Sequence, residues 1–318
     1  MKPSFVSSFR RSLGKAKRKL KENLAGNSED MFPLCPPLPL PEGVSEGQLF
    51  QFLQSVLVSD APPQEMANYC TQDFRRFVYT YGLARNLSGQ ALELGANPYF
   101  TTFLLREFSP LQLTLANYFG SELDSLVSQS VNFRDFKTEK HNRVELKSYH
   151  FNIEQEKFPF QESQFDVVFF CEIIEHLLLD PVAVLREIKR ILKPDGALIL
   201  TTPNVSRLEN VAKMIAGANI YDPYSGYGPY GRHNREYNKH ELYLLLTYLG
   251  FEIETLFSAD VHQNNAGNYI ALSKLKPVLQ AREQDLGQYL FVKAINSQPG
   301  HSKKPSFLYR SYPPEELE

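Results

Sequence analysis

Ala91-Leu92-Glu93-Leu94-Gly95-Ala96-Asn97-Pro98-Tyr99 is the stretch on which the fold turns. Four residues of mostly apolar character run into a glycine, which reads as a buried strand closed by a turn. Asn97-Pro98 then turns the chain, and Pro98 suits the first turn of a helix reaching about Glu107. Gly95 lets backbone approach a ligand where a side chain would block it. The N-terminus of the helix that follows offers unpaired N–H groups to an anion.

The same rhythm repeats downstream. Leu111–Ala116, Ser148–Ile153, Phe165–Phe170 and Ala197–Thr201 read as further strands. Phe165–Phe170 is nearly all apolar, as expected of a strand covered on both faces. Asp180-Pro181 caps a helix through Leu192, with Val182, Leu185, Ile188, Ile191 and Leu192 as its core stripe. Lys193-Pro194-Asp195-Gly196 is turn chemistry. Ser206 with Glu209, and Asn238 with Glu241, are capping patterns ahead of two more helices, and Gly250 ends the second. Phe251–Phe257 and Gly287–Ala294 are the last strands. Strands alternating with helices imply a mostly parallel α/β sheet with helices on both faces. Ligands of such sheets bind at the carboxyl ends of the strands, near the switch in strand order.

Around this core the chain divides into four parts. Residues 1–30 form a tail, 31–44 a Pro-rich linker, 45–297 the folded domain with its N-terminal helices at 46–58 and 64–84, and 298–318 a loose C-terminal tail. Eight basic side chains and one acid fall within residues 1–26, a net +7, so the −2 of the 318-residue chain hides a body carrying −9. Phe5, Phe9, Leu13, Ala16, Leu20 and Leu24 would give a helix there one apolar stripe, fit for a weak peripheral membrane contact through residues 1–25 or an acidic partner. Gly14 and the serines favour the plainer reading, a solvated tail. Five prolines between residues 32 and 42 favour an extended spacer. Apolar residues at 42% supply a globular core, no apolar run reaches membrane length, and the composition excludes collagen-like, wholly disordered and disulfide-framework proteins. Cys35, Cys70 and Cys171 are spaced for neither zinc nor a disulfide framework; with no secretion signal at the start, a reducing, cytoplasmic setting is expected.

Five motifs in order carry a resemblance. The strand–Glu–x–Gly loop at 91–95, Phe158-Pro159-Phe160 with Phe165–Val168, Glu175-His176-Leu177, Leu192–Gly196 and Thr201–Asn204 resemble class I S-adenosylmethionine-dependent methyltransferases over roughly residues 70–295. The resemblance extends to the type 11/12-like members of bacterial polysaccharide and secondary biosynthesis. It implies a Rossmann-like seven-stranded sheet whose last strand is antiparallel, with S-adenosyl-L-methionine as cofactor. It implies that Glu93 faces the cofactor's amino group, directly or through water, and that Gly95 and Asn97 shape the loop around its methionine end. The family usually has E/D-x-G-x-G-x-G; here Asn97 and Tyr99 stand for two glycines. Asn tolerates left-handed angles better than most residues. Asn117 occupies the position of the acid that grips both ribose hydroxyls; an amide there loses charge assistance worth on the order of 1 kcal/mol. Asn152 and Ile153 fall where adenine is contacted, and Cys171 borders the cofactor as a small packing residue.

The resemblance places Glu172 and His176 beside the methyl-transfer centre, Glu172 to position the acceptor and His176 as a general base or as a structural helix histidine. A sulfonium methyl is already electrophilic, so alignment in a dry pocket supplies most of the catalysis. That chemistry needs no metal, and no tight ligand cluster is visible in the spacing. Residues 221–237, YDPYSGYGPYGRHNREY, form a long Tyr- and Gly-rich segment between two helices. Its flat faces and hydroxyls suit sugar rings; the plainer reading is a self-packed aromatic loop whose charges only hold its shape. Tyr227, Tyr230, Arg232, Arg235 and Tyr237, with Asn204 at the end of the fifth strand, are the candidate acceptor contacts, and His233 is the second candidate base. Methyl transfer to oxygen of a sugar-containing or other small polar acceptor is the reading that results. A non-catalytic scaffold on the same fold is the alternative, motivated by the missing glycines and Asn117. A nucleic-acid methyltransferase is a further one, and the acidic body argues against it.

Overall fold

A computed structural model describes residues 32–120 and 123–318, so the basic tail lies outside the described residues. Two helices, α1 (Glu46–Gln54) and α2 (Pro63–Ala84), flank a two-residue strand β1 (Leu57–Val58). Then follow β2 (Gly89–Leu94), α3 (Phe100–Phe108), β3 (Leu111–Asn117), β4 (Leu126–Arg134), β5 (His141–His150) and β6 (Phe165–Cys171). A 3₁₀ turn at Ile174–His176 leads to α4 (Pro181–Ile191) and β7 (Leu192–Pro203). The chain continues through α5 (Leu208–Ile215), α6 (Lys239–Tyr248), β8 (Phe251–Ala259), α7 (Leu272–Leu279) and β9 (Tyr289–Asn296).

The strands of the described residues form one nine-stranded sheet ordered β1-β4-β5-β3-β2-β6-β7-β9-β8. From β5 to β7 every pairing is parallel, and β9 runs antiparallel to both β7 and β8. The chain works outward from β2 on one side and resumes with β6 on the other. The switch point is therefore the gap between the carboxyl ends of β2 and β6, with β3 alongside.

Strand parity explains the two layers. Leu92, Leu94, Val168, Phe170, Leu198 and Leu200 point to one face, where they meet α4 and α6. Ala91, Val167, Phe169 and Ile199 point to the other, against α1, α2 and α3. A strand buried on both faces must be apolar at consecutive positions, and these strands are. Asp180 caps α4 by accepting from Ala183 N–H, and Asn238 caps α6 by accepting from Glu241 N–H.

Three expectations change. The sheet has nine strands rather than seven, because β1 and β4 extend the edge beyond β5. Strand β4 escapes a sequence reading because Val131 is its one buried residue and Gln129 breaks the alternation of Val127, Val131 and Phe133. The helix expected at 46–58 ends at Gln54, and the next residues pair with β4 at Leu57↔Asn132. Ser206 caps nothing: its N–H donates to Asn204 Oδ1 at 3.0 Å, and α5 starts behind Arg207.

The Pro-rich stretch, expected to be an extended spacer, and the C-terminal stretch, expected to be loose, are both packed. Tyr79 Oη donates to Pro36 O at 2.5 Å, and Leu38 and Leu40 lie on the core beside α1 and α2. Gly82 is required there, since an added Cβ would sit 2.1 Å from Pro39 Cγ. At the other end, Tyr309 is buried and its Oη donates to Asp180 Oδ1 at 2.5 Å. Lys304 pairs with the same carboxylate, and His301 stacks on Tyr248 at 4.4 Å.

Candidate active site

At the switch point the strand ends open a cleft of about 190 Å³. Its floor is Leu94 and Gly95, where β2 turns. One wall is Ala116, Asn117 and Tyr118 at the end of β3, with Phe151, Asn152 and Ile153 after β5. The opposite side is Glu172, Ile173, His176 and Leu177 after β6, and Tyr230 closes the rim.

The loop after β2 does without two glycines by a different device. Gly95 takes φ +66°, and a Cβ there would lie 2.9 Å from Ile173 Cδ1. Tyr99 itself adopts the left-handed region at φ +72° and is wholly buried. Such a backbone costs a non-glycine residue roughly 1–2 kcal/mol, and hydrogen bonds hold it. Tyr99 Oη donates to Gln129 Oε1 at 2.6 Å and accepts from Asn117 Nδ2 at 3.2 Å. Asn97 N–H donates to Asn117 Oδ1 at 2.8 Å, and Asn97 Nδ2 donates to Gln129 Oε1 at 3.1 Å. Asn117 thus fastens the loop to the end of β3. Its amide has four hydrogen-bonding positions, so one N–H and one lone pair remain.

Glu93 stands apart from the cleft lining. Parity turns it away from Leu92 and Leu94, under α3, where Thr102 Oγ1 donates to its Oε2 at 2.6 Å. Burial pushes its carboxyl up to about 8, against a smaller downward pull from Thr102. Asn97 and Cys171 also lie outside the lining. Asn97 serves the loop, and Cys171 packs against the α2–α3 layer with its thiol raised to about 12, chiefly by burial. Gly95, Asn117, Asn152 and Ile153 do line the cleft.

The other end of the cleft is crowded with ionisable groups. Glu172 takes φ +56° and accepts from Thr201 Oγ1 at 2.8 Å. Burial raises its pKa, the nearby Arg76 lowers it, and Glu175 raises it again. Arg76 is buried on α2, held by Asp73 at 2.9 Å and by Tyr69 Oη at 2.5 Å. Glu175 is fully buried and accepts from Thr202 Oγ1 at 2.9 Å; burial raises its pKa too, against the pull of His233. His176 donates from Nδ1 to Arg232 O at 2.9 Å, since a carbonyl can only accept. Its pKa is lowered by burial and then by His233. His233 lies edge-on to it at 5.0 Å, with Nδ1 2.9 Å from Glu236 Oε1. Burial pulls the His233 pKa down, but Glu236 and Glu175 outweigh it and the net shift is upward.

The aromatic loop is fastened over this end by Asn234, which sequence reading passed over. Its N–H donates to Glu175 O at 2.7 Å, and its side chain donates to His176 O at 2.9 Å. Several expected acceptor contacts sit elsewhere. Asn204 is buried and spends its amide on Asp285 O and Gly287 O, both at 2.8 Å. Tyr237 is a core side chain beside α6, and Arg235 pairs with Glu241. Tyr227 is 90% exposed, and Arg232 stacks on Tyr224 at 4.4 Å. Tyr230 alone of that group lines the cleft, with Asn152 Nδ2 3.4 Å from its Oη. Tyr118, Phe151 and Ile173 are cleft walls with no motif to announce them; their signal is position, one or two residues past a strand end. Leu177, also a wall, closes the Glu175-His176-Leu177 motif.

The residues fit an adenosyl group. The walls Ala116, Tyr118, Phe151, Ile153 and Leu177 are apolar or aromatic, Asn117 and Asn152 offer amides, and the glycine floor leaves backbone accessible.

Among curated proteins no sequence matches this chain. A putative methyltransferase from Haloferax volcanii, solved with the Trm112 activator, matches at 16% identity over 74% of this chain and 93% of its own, with a TM-score of 0.44. A Thermotoga maritima enzyme described as a possible histamine N-methyltransferase matches at 14% identity over 74% of this chain and 95% of its own, TM-score 0.45. No helix among the described residues is long and apolar enough to cross a membrane. Residues 101–200 match the family model described as a methyltransferase domain. That match lies on the parallel sheet whose strand ends form this cleft: the chain carries a methyltransferase domain, and S-adenosylmethionine-dependent methyl transfer is its activity.

Proposed function

We propose that this enzyme transfers a methyl group to a hydroxyl oxygen of a small polar acceptor, sugar-containing compounds foremost. The observation that carries the reading is the divided character of one cleft. One end is apolar walls and two amides; the other presents Glu172, His176 and the rim hydroxyl of Tyr230. Gly95, Asn117, Asn152 and Ile153 would hold S-adenosylmethionine, whose sulfonium supplies the electrophilic methyl group when bound. Tyr118 and Leu177 would add apolar surface around its ring.

The protein's own contribution is placement and proton management. His176 keeps Nε2 free because its Nδ1–H is held by the Arg232 carbonyl, so the ring can accept from an acceptor hydroxyl. Glu172, half-buried at the cleft with its pKa raised, can hold a proton and donate a hydrogen bond to a second acceptor oxygen. The Asn234 clamp keeps the aromatic loop over that end and excludes water.

A screen with methyl-labelled S-adenosylmethionine against monosaccharides, nucleotide-sugars, phenols and amines tests the reading. The expected result is label on a hydroxyl oxygen, with Tyr230→Ala raising the acceptor KM more than it lowers kcat. Label on amines alone, or Tyr230→Ala without effect on either parameter, refutes it.

A further inference from the structure

Behind the acceptor end, three side chains able to ligate a metal converge from two segments. Glu175 and His176 come from the 3₁₀ turn after β6, and His233 comes from the aromatic loop. Their ligating atoms all lie within 4.8 Å of one another. Glu175 is fully buried, and its Oε1 has no hydrogen-bond partner among the described residues. A buried acceptor left unpaired costs roughly 1–3 kcal/mol, so something in the working protein should use it. His176 Nε2 is 3.8 Å from that oxygen, beyond hydrogen-bond distance.

Both imidazoles are oriented as metal ligands are. His176 spends Nδ1–H on the Arg232 carbonyl, and His233 spends Nδ1–H on the Glu236 carboxylate, each at 2.9 Å. The free lone pair in each ring is therefore on Nε2. A carbonyl or carboxylate behind the ring fixes the tautomer and raises the basicity of the other nitrogen. Glu236 is itself held by Arg207.

We infer that Glu175 Oε1 and the Nε2 atoms of His176 and His233 form a binding site for one divalent cation of the zinc, manganese, iron(II) or cobalt class. Two imidazoles and a carboxylate suit these ions, whereas magnesium and calcium favour all-oxygen sets. Three protein ligands leave at least one coordination position, and His176 lines the cleft, so that position serves the acceptor end. Donors about 2.1 Å from a tetrahedral ion stand about 3.4 Å apart. The cluster must contract by up to about 1.4 Å from its present spread of 4.8 Å, within reach of side-chain rotation. On the methyl-transfer reading, the cation would bind the acceptor oxygen and lower the pKa of its hydroxyl, the proton passing to water. His176 would then act through the ion rather than as the base itself.

The full chain, stripped with a chelator, is titrated with cobalt(II) and followed by visible absorption, then challenged with zinc. The expected result is one equivalent of cobalt with the strong ligand-field bands of low coordination number, displaced by zinc. Glu175→Gln and His233→Gln should weaken cobalt binding by more than the roughly 10–100-fold typical of losing an outer-shell partner. His301→Gln, on a remote and half-exposed ring, should bind like the unmodified protein. Far-UV circular dichroism checks that each variant is folded; His233, on a partly exposed loop, carries the test should Glu175→Gln fail to fold. No cobalt bands in the folded protein, or undiminished binding in both variants, overturns the site. Because the probe is the metal alone, the outcome stands apart from whether methyl transfer is detected.

Discussion

Replacing Glu93 by Gln should stabilise this protein at neutral pH. The carboxyl lies under α3 with its pKa raised from 4.5 to about 8, mainly by burial. An acid whose folded-state pKa exceeds its unfolded value costs stability when ionised. The cost is absent below about pH 4.5, grows as pH rises, and levels off above about pH 8. At pH 7 roughly 2.5 pKa units of it are in force, and at 1.36 kcal/mol per unit that is about 3 kcal/mol. Gln keeps the shape, and its Oε1 can still accept from Thr102. It carries no charge, so the variant should gain about 3 kcal/mol at pH 7, or roughly 6 °C in Tm, and nothing near pH 4.5. Melting curves of both proteins between those pH values read the difference directly. A gain that does not change with pH, or a loss at pH 7, would refute the burial argument. The same variant separates two placements of Glu93. Under α3, away from the cleft lining, its loss of charge should change S-adenosylmethionine affinity by less than about tenfold; direct contact with the cofactor's amino group would cost more.

Tyr99→Phe removes the hydroxyl joining Gln129 to Asn117. It should cost about 1–3 kcal/mol in a melting experiment and loosen the cofactor in calorimetry, because the loop after β2 loses its anchor. Tyr309→Ala should cost about 3 kcal/mol, since the ring is buried against α4 and its hydroxyl bonds Asp180; urea unfolding that leaves the midpoint unchanged would mean the C-terminal segment is not part of the folded unit.

The central strands were legible because double burial forces consecutive apolar residues, as in Phe165–Phe170. Strand β4 was not, since its exposed positions obey no apolar rule. The cleft floor at Gly95 and its walls at Asn117, Asn152 and Ile153 follow from position at strand ends. Parity places Glu93: a residue between Leu92 and Leu94 must face the layer opposite to them, and it lies under α3. The fates of Asn204, Arg235 and Tyr237 could not be read from the chain. Polar and aromatic residues in a long loop can line a pocket or hold the loop together, and partners distant in sequence decide which. The same distance hid the Glu175–His176–His233 cluster, whose members meet because Asn234 and the Arg232 carbonyl tie the aromatic loop to the turn after β6.

The most direct test is calorimetric titration of the folded protein with S-adenosylmethionine and with S-adenosylhomocysteine. The cleft predicts saturable binding of each at a single site, weakened when Ile153→Asp puts a charge on the apolar wall. A folded protein that binds neither, or binds both equally well with the wall charged, would contradict the assignment of this cleft as the cofactor site.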